Sequence, residues 1–372
     1  MTRIYADYAA TTPLCAETKR AMAPWLDAEF GNASSLHQEG RRARAAIDEA
    51  REVVSARLGC LFAEVIFTSS GTESANLAIV GSALATNGRS RVLMATAEHH
   101  CVLNTRGNLE RLGCQVELVP VDRSGVVDLD ALDRMLGGDV LLVSVIHANN
   151  EVGTISPAAE VGKRAHQFGA LFHCDAVQTF TVWDWTVDDL GADLVSISAH
   201  KLGGPKGAGA LYVRAGTKLQ PLIAGGGQER ELRAGTENVA AIVGFAAAVR
   251  GSSPCKGRYP AAAAFSSGTD GTAVPTIDAG VPCLPGIVHV RFPGVSAESL
   301  LIRLDRMGVS ASAGAACSSG SLEASHVMRA CGYDETEARE GVRFSFGRAQ
   351  LAEDGTRAAQ IVREAVLAIR GA

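Results

Sequence analysis

The chain has 372 residues, of which 47% are hydrophobic and 20% are charged, and its formal net charge is −5. This composition predicts a soluble globular protein and gives no reason to expect nucleic acid or an anionic membrane as the main partner. No apolar run approaches the ~18 residues that span a bilayer, and Arg3 and Asp7 stand where a signal peptide would be hydrophobic, which favours a cytoplasmic location. The nine cysteines form no C-x-x-C pair, and histidines and cysteines do not occur at the spacing typical of metal ligands, so no metal site is expected.

In chain order, an extended arm at 4–13 ends at a proline, and an amphipathic helix at 39–58 precedes a strand at 64–68 and a second helix. Strands and helices then alternate. The predicted strands are 91–96, 115–119, 139–146, 170–174, 193–198 and 209–213, and the helices between them lie near 100–112, 128–136 and 157–168. This alternation predicts a mostly parallel sheet with helices on both faces and ligands at the carboxyl ends of its strands.

A helix at 236–250 closes this first block. Residues 251–285 are rich in Gly, Ser, Pro and Ala without a clear period, which predicts a loop or a poorly specified connection. The second block is predicted as strand 286–292, helix 296–308, loop 310–320, helix 321–331, strand 342–348 and helix 353–370. We therefore expect an α/β protein with a large domain at 15–250 and a smaller α+β domain formed by 1–14 and 251–372.

Lys201 follows the apolar strand at 193–198 and precedes a turn rich in glycine and proline. A lysine in this position is held by rigid structure, but its amine is a nucleophile only where the site lowers its pKa from ~10.4. Two interpretations remain open: a lysine that forms a Schiff base, or a surface lysine in a turn.

Four further groups lie at predicted strand ends. Ser70-Gly71-Thr72 could bind a phosphate at a helix start, or could simply cap that helix. Asp175 needs a cationic partner if it is buried, either a protonated pyridine nitrogen or an arginine. His99 could stack on a flat ring, bind a metal or serve the structure alone, and the amides of 149–150 could contact a ligand or close a turn. Together these groups are those needed to hold pyridoxal phosphate.

Cys317 lies among glycines and small residues at 311–321. Such a segment can move and leaves a thiol uncovered, although only a nearby cation, a base or a helix N-terminus would make that thiol reactive at neutral pH. A nucleophilic cysteine and an inert one are both compatible with this pattern.

These residues lie in motifs that resemble the cysteine desulfurases of the NifS/IscS type, which are class V aminotransferase-like enzymes of PLP fold type I. The resemblance spans nearly the whole chain in the family's order. The matching segments are YADYAATTP at 5–13, FGNASSLH at 30–37, FTSSGTESANLAI at 67–79, AEHHCVL at 97–103, HANNEVG at 147–153, HCDAVQ at 173–178, SISAHKLGGPKGAGALYV at 196–213, GGGQERELRAGTEN at 225–238, SAGAACSSGSLEASHVMRA at 312–330 and VRFSFGR at 342–348.

The resemblance implies roles for individual residues. Lys201 would form the Schiff base with pyridoxal 5'-phosphate, and His99 would stack on its ring. Asp175 would pair with the ring nitrogen, and Gln178 would bond the ring hydroxyl. The phosphate would be held by Gly71, Thr72, Ser198, His200 and, across the interface of a homodimer, Thr236.

The substrate would be L-cysteine, with its carboxylate held by Asn150 and Arg343. Cys317, on a mobile loop at 310–321, would take its sulfur as a persulfide, release L-alanine and deliver the sulfur to an acceptor protein. The sequence does not identify that acceptor, which could be an iron–sulfur scaffold or a nucleic-acid thiolation enzyme.

Two alternatives stay open: a selenocysteine lyase or aminotransferase of the same fold, and a sulfur-trafficking scaffold with little turnover. The chain departs from the family at 251–285, where the family has a long helix and a strand. This departure puts the packing of the small domain in doubt.

Overall fold

The computed structural model describes residues 3–86, 88–255, 257–314 and 324–371. Its strands, in chain order, are β1 Ile4–Tyr5, β2 Val65–Thr68, β3 Arg91–Ala95, β4 Gln115–Val119, β5 Val140–Ile146, β6 Leu171–Asp175, β7 Leu194–Ser198, β8 Gly209–Val213, β9 Val274–Pro275, β10 Ile287–Arg291, β11 Val309–Ser310 and β12 Gly341–Ser345. Its α-helices are α1 Ala16–Met22, α2 Gln38–Leu58, α3 Gly71–Ala85, α4 His100–Leu103, α5 Arg106–Arg111, α6 Leu129–Met135, α7 Ala158–Gln167, α8 Val187–Leu190, α9 Val239–Arg250, α10 Pro260–Gly268, α11 Ala297–Arg306, α12 His326–Ala330, α13 Glu335–Arg339 and α14 Ala352–Arg370.

A seven-stranded sheet in the order β2-β8-β7-β6-β5-β3-β4 forms the centre of the larger part of the molecule. All neighbouring strands are parallel except that β8 runs antiparallel to β2 and β7. The carboxyl ends of β2, β3, β5, β6 and β7 therefore meet at one edge. This arrangement confirms the predicted α/β fold with a large, mostly parallel sheet.

Helix α2 shows how the sequence pattern produces this packing. The imidazole of His37 accepts the N–H of Gly40 at its start, and Gly59 ends it in the left-handed conformation at φ 70°. Its buried residues recur every three or four positions, so one stripe faces the sheet and the other side faces solvent. The apolar members of that stripe are Ala43, Ile47, Ala50, Val54 and Leu58.

The prediction of a loop throughout 251–285 was wrong, because α10 and β9 lie within it. Pro260 occupies the first turn of α10, where its missing N–H costs nothing, and Phe265 is fully buried against α14. A side chain at Gly355 of α14 would lie 2.0 Å from the carbonyl oxygen of Ala261, so glycine allows the two helices their close approach. The two faces of an alanine-rich helix differ little in hydrophobicity, so the sequence of α10 lacks the periodic pattern by which helices are predicted.

Other boundaries also differ from the prediction. The single helix expected at 100–112 is divided into α4 and α5, and the helix expected from residue 236 begins at Val239. Of the helix expected at 321–331, the described part contains α12. Residues 315–323, including Cys317 and most of its predicted loop, lie outside the described residues.

The N-terminal arm connects the C-terminal part of the chain to the lysine turn. β1 pairs in parallel with β11, and Asp7 bridges to Ser345 at the end of β12. Thr12 then donates from its N–H and its hydroxyl to the carbonyl oxygen of His200, at 3.0 and 2.8 Å. The arm thereby fixes the position of Lys201. Within the described ranges, no helix is long and apolar enough to cross a membrane.

Candidate active site

A cavity of about 180 Å³ lies at the carboxyl edge of the seven-stranded sheet. Turns after five of its strands supply most of the wall, and the N-terminal arm and β12 supply the rest. The predicted site residues that line it are Gly71, Thr72, His99, Asn150, Asp175, Gln178, Ser198, His200, Lys201 and Arg343. The structure thus brings together ten residues that the sequence scatters over 273 positions.

Lys201 enters the cavity from the short 3-10 turn that follows β7. Its Nζ donates to the carbonyl oxygens of Ala9 and Ala10 at 2.6 and 2.9 Å. The lysine is therefore held at the cavity wall by the N-terminal arm, not extended into solvent. A Schiff-base lysine needs such a fixed position beside a ligand cavity.

One end of the cavity suits a phosphate. The first N–H groups of the fifteen-residue helix α3 point out of its start at Gly71 and Thr72, where the helix dipole favours an anion. A Cβ added at Gly71 would lie 2.7 Å from Cγ2 of Val177, so glycine keeps this end open. The hydroxyl of Ser198 is buried and makes no hydrogen bond to any described residue. A bound phosphate oxygen would satisfy that hydroxyl.

His200 lies beside this phosphate end. Its Nδ1 is 3.2 Å from the hydroxyl of Thr11. Burial is the largest cause that lowers the pKa of His200 to about 4, with the charges of Lys201 and Lys206 adding to it. The imidazole is therefore neutral at pH 7 and can donate one hydrogen bond to an anion.

Asp175 ends β6 inside the cavity and is 4% exposed. Burial raises its pKa to about 6, while the N–H of Val177, 3.0 Å from Oδ1, and the charge of Lys201 lower it. No arginine forms an ion pair with Asp175 in the described part of the chain, and Lys201 is the cation whose charge acts on it. A protonated ring nitrogen would place a cation directly at this buried carboxylate.

His99 and Gln178 line the same cavity. Nδ1 of His99 accepts the N–H of Cys101 at 3.1 Å, and burial lowers the pKa of His99 to about 4. The ring is therefore neutral with its proton on Nε2, as suits stacking on a flat ring. The two histidines at 99 and 100 are tilted, with ring centroids 6.3 Å apart. Nε2 of Gln178 donates to the carbonyl oxygen of Ala9 at 3.0 Å.

Arg343 reaches the cavity from β12 and is 1% exposed. Its Nη1 donates to the carbonyl oxygen of Asn150 at 2.7 Å, and its Nη2 donates to Oδ1 of Asp7 at 2.8 Å. Nε of Arg343 and Oδ1 of Asn150 are buried, and neither has a hydrogen-bond partner among the described residues. A guanidinium held in this way is preorganised to bind a carboxylate.

Two predicted residues do not line this cavity. Thr236 is exposed, in the segment before α9, and contacts no part of the cavity of its own chain. Cys317 lies outside the described residues.

The sequence reasoning missed three contacts of the site residues. Asp7 pairs with Arg343, the carbonyl oxygens of Ala9 and Ala10 hold Lys201, and Cys101 brings its Sγ to 4.0 Å from Oδ2 of Asp175. All lie in motifs that the resemblance quotes. Only the motif signalled them, because no residue type in the arm predicts a partner more than 190 positions away.

A larger cavity of about 350 Å³ adjoins the first one and shares Ala9, Gln178 and Lys201 with it. Its remaining wall comes from the arm and Cys15, from turns at 181–182 and 202–203, and from residues at 251–253, 284–287 and 345–349 together with Tyr259. It contains neither the helix N-terminus nor the buried carboxylate, so the smaller cavity is the one that fits the coenzyme.

Comparison with known proteins identifies the family. The profile of the class-V aminotransferases matches residues 4–356. The cysteine desulfurase IscS of Dictyoglomus turgidum is 45% identical over 359 residues, which cover 94% of this chain and 91% of that protein. A solved NifS-like protein superposes with a TM-score of 0.89 at 32% identity, covering 99% of this chain and all of the other.

A solved structure of SspA in complex with cysteine superposes with a TM-score of 0.83 at 34% identity, covering 94% of this chain and all of that one. The fold, the cavity and these comparisons agree with the resemblance inferred from the motifs. The chain therefore belongs to the class-V aminotransferase family, as a pyridoxal-phosphate-dependent enzyme of its cysteine desulfurase group.

Proposed function

We propose that the protein binds L-cysteine in the cavity beside Lys201, releases L-alanine, and transfers the substrate sulfur to an acceptor by way of Cys317. One observation carries this proposal: Lys201, the buried carboxylate of Asp175 and the unpartnered hydroxyl of Ser198 line one cavity. The relative solved in complex with cysteine supports the choice of substrate.

When bound, pyridoxal phosphate supplies an electron sink for the carbon next to the substrate's amino group. Asp175 would strengthen that effect by pairing its negative charge with the ring nitrogen. A cation there would in turn lower the pKa of Asp175 from about 6, so the carboxylate would be ionised at neutral pH. His99 would cover the ring as a neutral imidazole, and Gln178 would contact the ring hydroxyl.

Lys201 serves as the proton carrier in this scheme. As a free amine, Nζ of Lys201 would take the proton from the substrate α-carbon. The carbonyl oxygens of Ala9 and Ala10, which contact Nζ at 2.6 and 2.9 Å, would hold the resulting ammonium in place. The same ammonium can return a proton to the product.

The substrate carboxylate is assigned to Arg343 and Asn150. Nε of Arg343 and Oδ1 of Asn150 are buried without partners, while Asp7 and the backbone of Asn150 fix the guanidinium. The negative charge of Asp7 offsets part of the attraction between Arg343 and a bound carboxylate. This favours release of the product carboxylate.

In the sulfur step, the thiolate of Cys317 forms an S–S bond with the substrate sulfur while the C–S bond breaks. The electron pair of that bond stays on the substrate carbon, which takes up a proton and becomes the methyl group of alanine. Cys317 is left as a persulfide, and a second thiolate, on the acceptor protein, takes its outer sulfur. Position 317 is assigned by its motif.

The test is to incubate the pure holoenzyme with L-cysteine and a thiol, without a keto acid, and to measure alanine and sulfide. Equal amounts of both support desulfuration. A requirement for keto acid would indicate an aminotransferase, and a much higher kcat/KM for L-selenocysteine would indicate a lyase. No turnover above the Lys201→Ala variant would favour a trafficking scaffold.

A homodimer completes this proposal. Three apolar side chains near the start of α2 are exposed: Leu26 by 71%, Phe30 by 82% and Leu36 by 90%. Large apolar side chains exposed together indicate a protein–protein contact. In a dimer Thr236 would reach the phosphate of the second subunit. In a mixed dimer of a Lys201→Ala chain and a Thr236→Ala chain, one of the two sites would then contain neither substitution and would be active. If each site is formed by a single chain, neither site of the mixed dimer would be intact.

We propose the division into domains, the location and the class of acceptor as follows. Separate apolar clusters, one drawn from 33–249 and another from Ile4, Ala6 and 259–366, support the division into domains at 15–250 and at 1–14 with 251–372. We retain the cytoplasmic location and an acceptor that is an iron–sulfur scaffold or a nucleic-acid thiolation enzyme. Pull-down of the persulfide-loaded enzyme with purified candidates of each class would identify the acceptor.

A further inference from the structure

Four buried polar side chains form a continuous row of hydrogen bonds beside the active-site cavity. Oγ of Ser144 lies 3.1 Å from Oε1 of Glu98 and 2.9 Å from Nδ1 of His173, and Nε2 of His173 lies 2.9 Å from Oγ of Ser196. All four side chains are 0% exposed. We call this row, Glu98–Ser144–His173–Ser196, the Glu98 relay.

The relay adjoins the carboxylate assigned to the coenzyme. His173 and Asp175 are two residues apart on β6, so their side chains share one face of the sheet. Asp175 is also the direct cross-strand partner of Ser196 on β7. At the other end, Glu98 immediately precedes His99. No step of the proposed reaction uses any member of the relay.

Counting protons shows that the relay has two possible directions. A neutral imidazole carries one N–H and each serine carries one O–H. If Glu98 is ionised, it accepts from Ser144, which accepts from Nδ1–H of His173, and Ser196 donates to Nε2. If Glu98 carries a proton on Oε1, it donates to Ser144, which donates to Nδ1, and Nε2–H donates to Ser196. With a hydrogen in every bond of the relay, an Nε2–H tautomer of His173 therefore requires a protonated Glu98.

The surroundings of Glu98 favour the second direction. No lysine or arginine forms an ion pair with Glu98 in the described part of the chain, and its Oε2 is buried without a hydrogen bond. Burial, followed by the charge of Asp175, raises the pKa of Glu98 well above its usual range. The hydroxyl of Ser144 and the backbone N–H groups of Ile146 and His99 lower it by less.

The two titratable residues that precede Asp175 on β6 do not supply a cation to Glu98. Burial lowers the pKa of His173 to about 3, and the pKa of the Cys174 thiol is raised well above its usual range, so both are neutral at pH 7. His326 contacts the backbone of Glu98, with Nε2 2.9 Å from its carbonyl oxygen. Asp175 is thus the charged group that Glu98 meets, and the two charges repel.

We propose that Glu98 is a neutral carboxylic acid that, through Ser144, holds His173 as its Nε2–H tautomer, so that Asp175 is the carboxylate left ionised beside the coenzyme. The proposal rests on the role given to Asp175 in the proposed function. Glu98 and His173 are then positioning residues: they contact neither substrate nor coenzyme. They keep one of two neighbouring carboxyl groups protonated and the other ionised. Two neighbouring buried carboxyl groups do not both ionise, because their negative charges repel.

Two spectroscopic measurements on the holoenzyme at pH 7 test the proposal. The first is ¹⁵N NMR of ring-labelled histidine, with the His173 signals identified by their loss in His173→Gln. The expected spectrum shows a protonated Nε2 and an unprotonated Nδ1. The second is the infrared difference spectrum between the wild type and Glu98→Gln, which should lose the C=O band of a protonated carboxylic acid. The matched control is Glu52→Gln at an exposed site.

A third measurement distinguishes an effect of Glu98 on the protonation of the active site from a purely structural role of its side chain. In Glu98→Gln the amide still donates to Ser144, so the pH at which the coenzyme absorption changes should move by less than about half a unit. In Glu98→Ala that donor is lost, Ser144 can turn toward another acceptor, and a shift larger than one unit is expected. If Glu98→Ala does not fold, the histidine spectrum of the wild type and the infrared difference with Glu98→Gln still decide the proposal.

An Nδ1–H tautomer of His173, or no acid band lost in Glu98→Gln, would overturn the proposal. Both signatures present, in a protein that forms no alanine from cysteine, would uphold the relay and count against the proposed function alone. The two proposals can therefore fail separately.

Discussion

The guanidinium of Arg343 donates from Nη2 to Oδ1 of Asp7 at 2.8 Å, although 336 positions separate the two residues. This ion pair joins the N-terminal arm to β12 at the wall of the cavity. It places a buried cation within reach of a substrate carboxylate, and Nε of Arg343 remains without a partner among the described residues. The arm that carries Asp7 also holds Lys201, so binding and chemistry depend on one short segment.

Arg343→Lys should therefore weaken substrate binding. An ammonium keeps the charge but cannot present two parallel donors to a carboxylate while also bonding Asp7. A hydrogen bond to a charged group contributes ~1.5–3 kcal/mol, so KM for L-cysteine should rise about 10- to 100-fold with a smaller change in kcat. Steady-state kinetics measure this. The control is Arg348→Lys, five positions on and exposed. An unchanged KM in Arg343→Lys would remove Arg343 from substrate binding.

Ser198→Ala should separate stability from coenzyme binding. The hydroxyl is buried without a partner, which costs about 1–3 kcal/mol, so its removal should leave the free energy of unfolding of the apoprotein unchanged or slightly higher. Loss of a donor to the phosphate should weaken pyridoxal-phosphate binding about tenfold.

The control for this variant is Ser82→Ala, because the buried Ser82 donates to the carbonyl oxygen of Ala78 at 2.6 Å. Ser82→Ala should lower stability by about 1 kcal/mol and leave coenzyme affinity unchanged. Urea denaturation and equilibrium dialysis measure the two quantities. Equal coenzyme affinity in Ser198→Ala and the wild type would exclude the hydroxyl from the phosphate site.

Gly71→Ala tests the shape of the phosphate end. The added Cβ would meet Cγ2 of Val177 at 2.7 Å and Cβ of Ser198 at 3.5 Å, so the end of the cavity should close. We expect coenzyme affinity to fall at least tenfold, about 1.4 kcal/mol, with the far-ultraviolet circular dichroism unchanged. Gly107→Ala, where no atom lies within 4 Å of the new Cβ, is the matched control. If both variants bind the coenzyme equally, the site lies elsewhere.

His289→Leu tests whether the buried histidine on β10 makes the stability of the protein depend on pH. His289 is 4% exposed, its Nδ1 lies 2.7 Å from the hydroxyl of Thr276, and burial, with the charge of Arg343, lowers its pKa to about 3. The folded pKa lies below the unfolded value of ~6.5. Its stabilising contribution is therefore complete above pH ~6.5 and is lost as the pH falls toward about 3.

Leucine binds no proton, so the His289→Leu variant lacks that loss. At pH 7 leucine leaves the Thr276 hydroxyl without its partner but also removes the buried Nε2, which has no hydrogen bond to a described residue, so the two effects offset each other in part. Between pH ~6 and ~4 the wild type should lose stability relative to the variant by about 1.4 kcal/mol per pH unit. Urea denaturation of both proteins over this range measures the difference. Parallel pH profiles would show that His289 does not titrate as described.

Much of the site was predictable because parallel strands end at one edge of a sheet. Four site residues each follow an apolar strand: His99, Asn150, Asp175 and Lys201. Recognising the strands was therefore enough to predict that these residues lie close together. The helix starting at Gly71 was recognisable from its Ser-Gly-Thr turn. What each residue would bind came from the motifs.

Other features were beyond prediction because they depend on long-range packing. The ion pair between Asp7 and Arg343 and the relay from Glu98 to Ser196 join segments whose pairing no local pattern encodes. Helix α10 escaped detection because alanine is compatible with a buried and with an exposed face. Its stability comes from α14, which lies about a hundred residues further along the chain.

The most direct measurement is the location of the sulfur after one turnover. The holoenzyme is mixed with one equivalent of L-cysteine without added thiol, and alanine is measured while mass spectrometry maps each cysteine peptide. The account predicts one alanine per site and one extra sulfur atom on the peptide of Cys317, with Cys101→Ser unchanged and Cys317→Ser retaining the coenzyme but carrying no sulfur. Alanine formed by Cys317→Ser at the wild-type rate, or extra sulfur on the peptide of Cys101 instead, would contradict it.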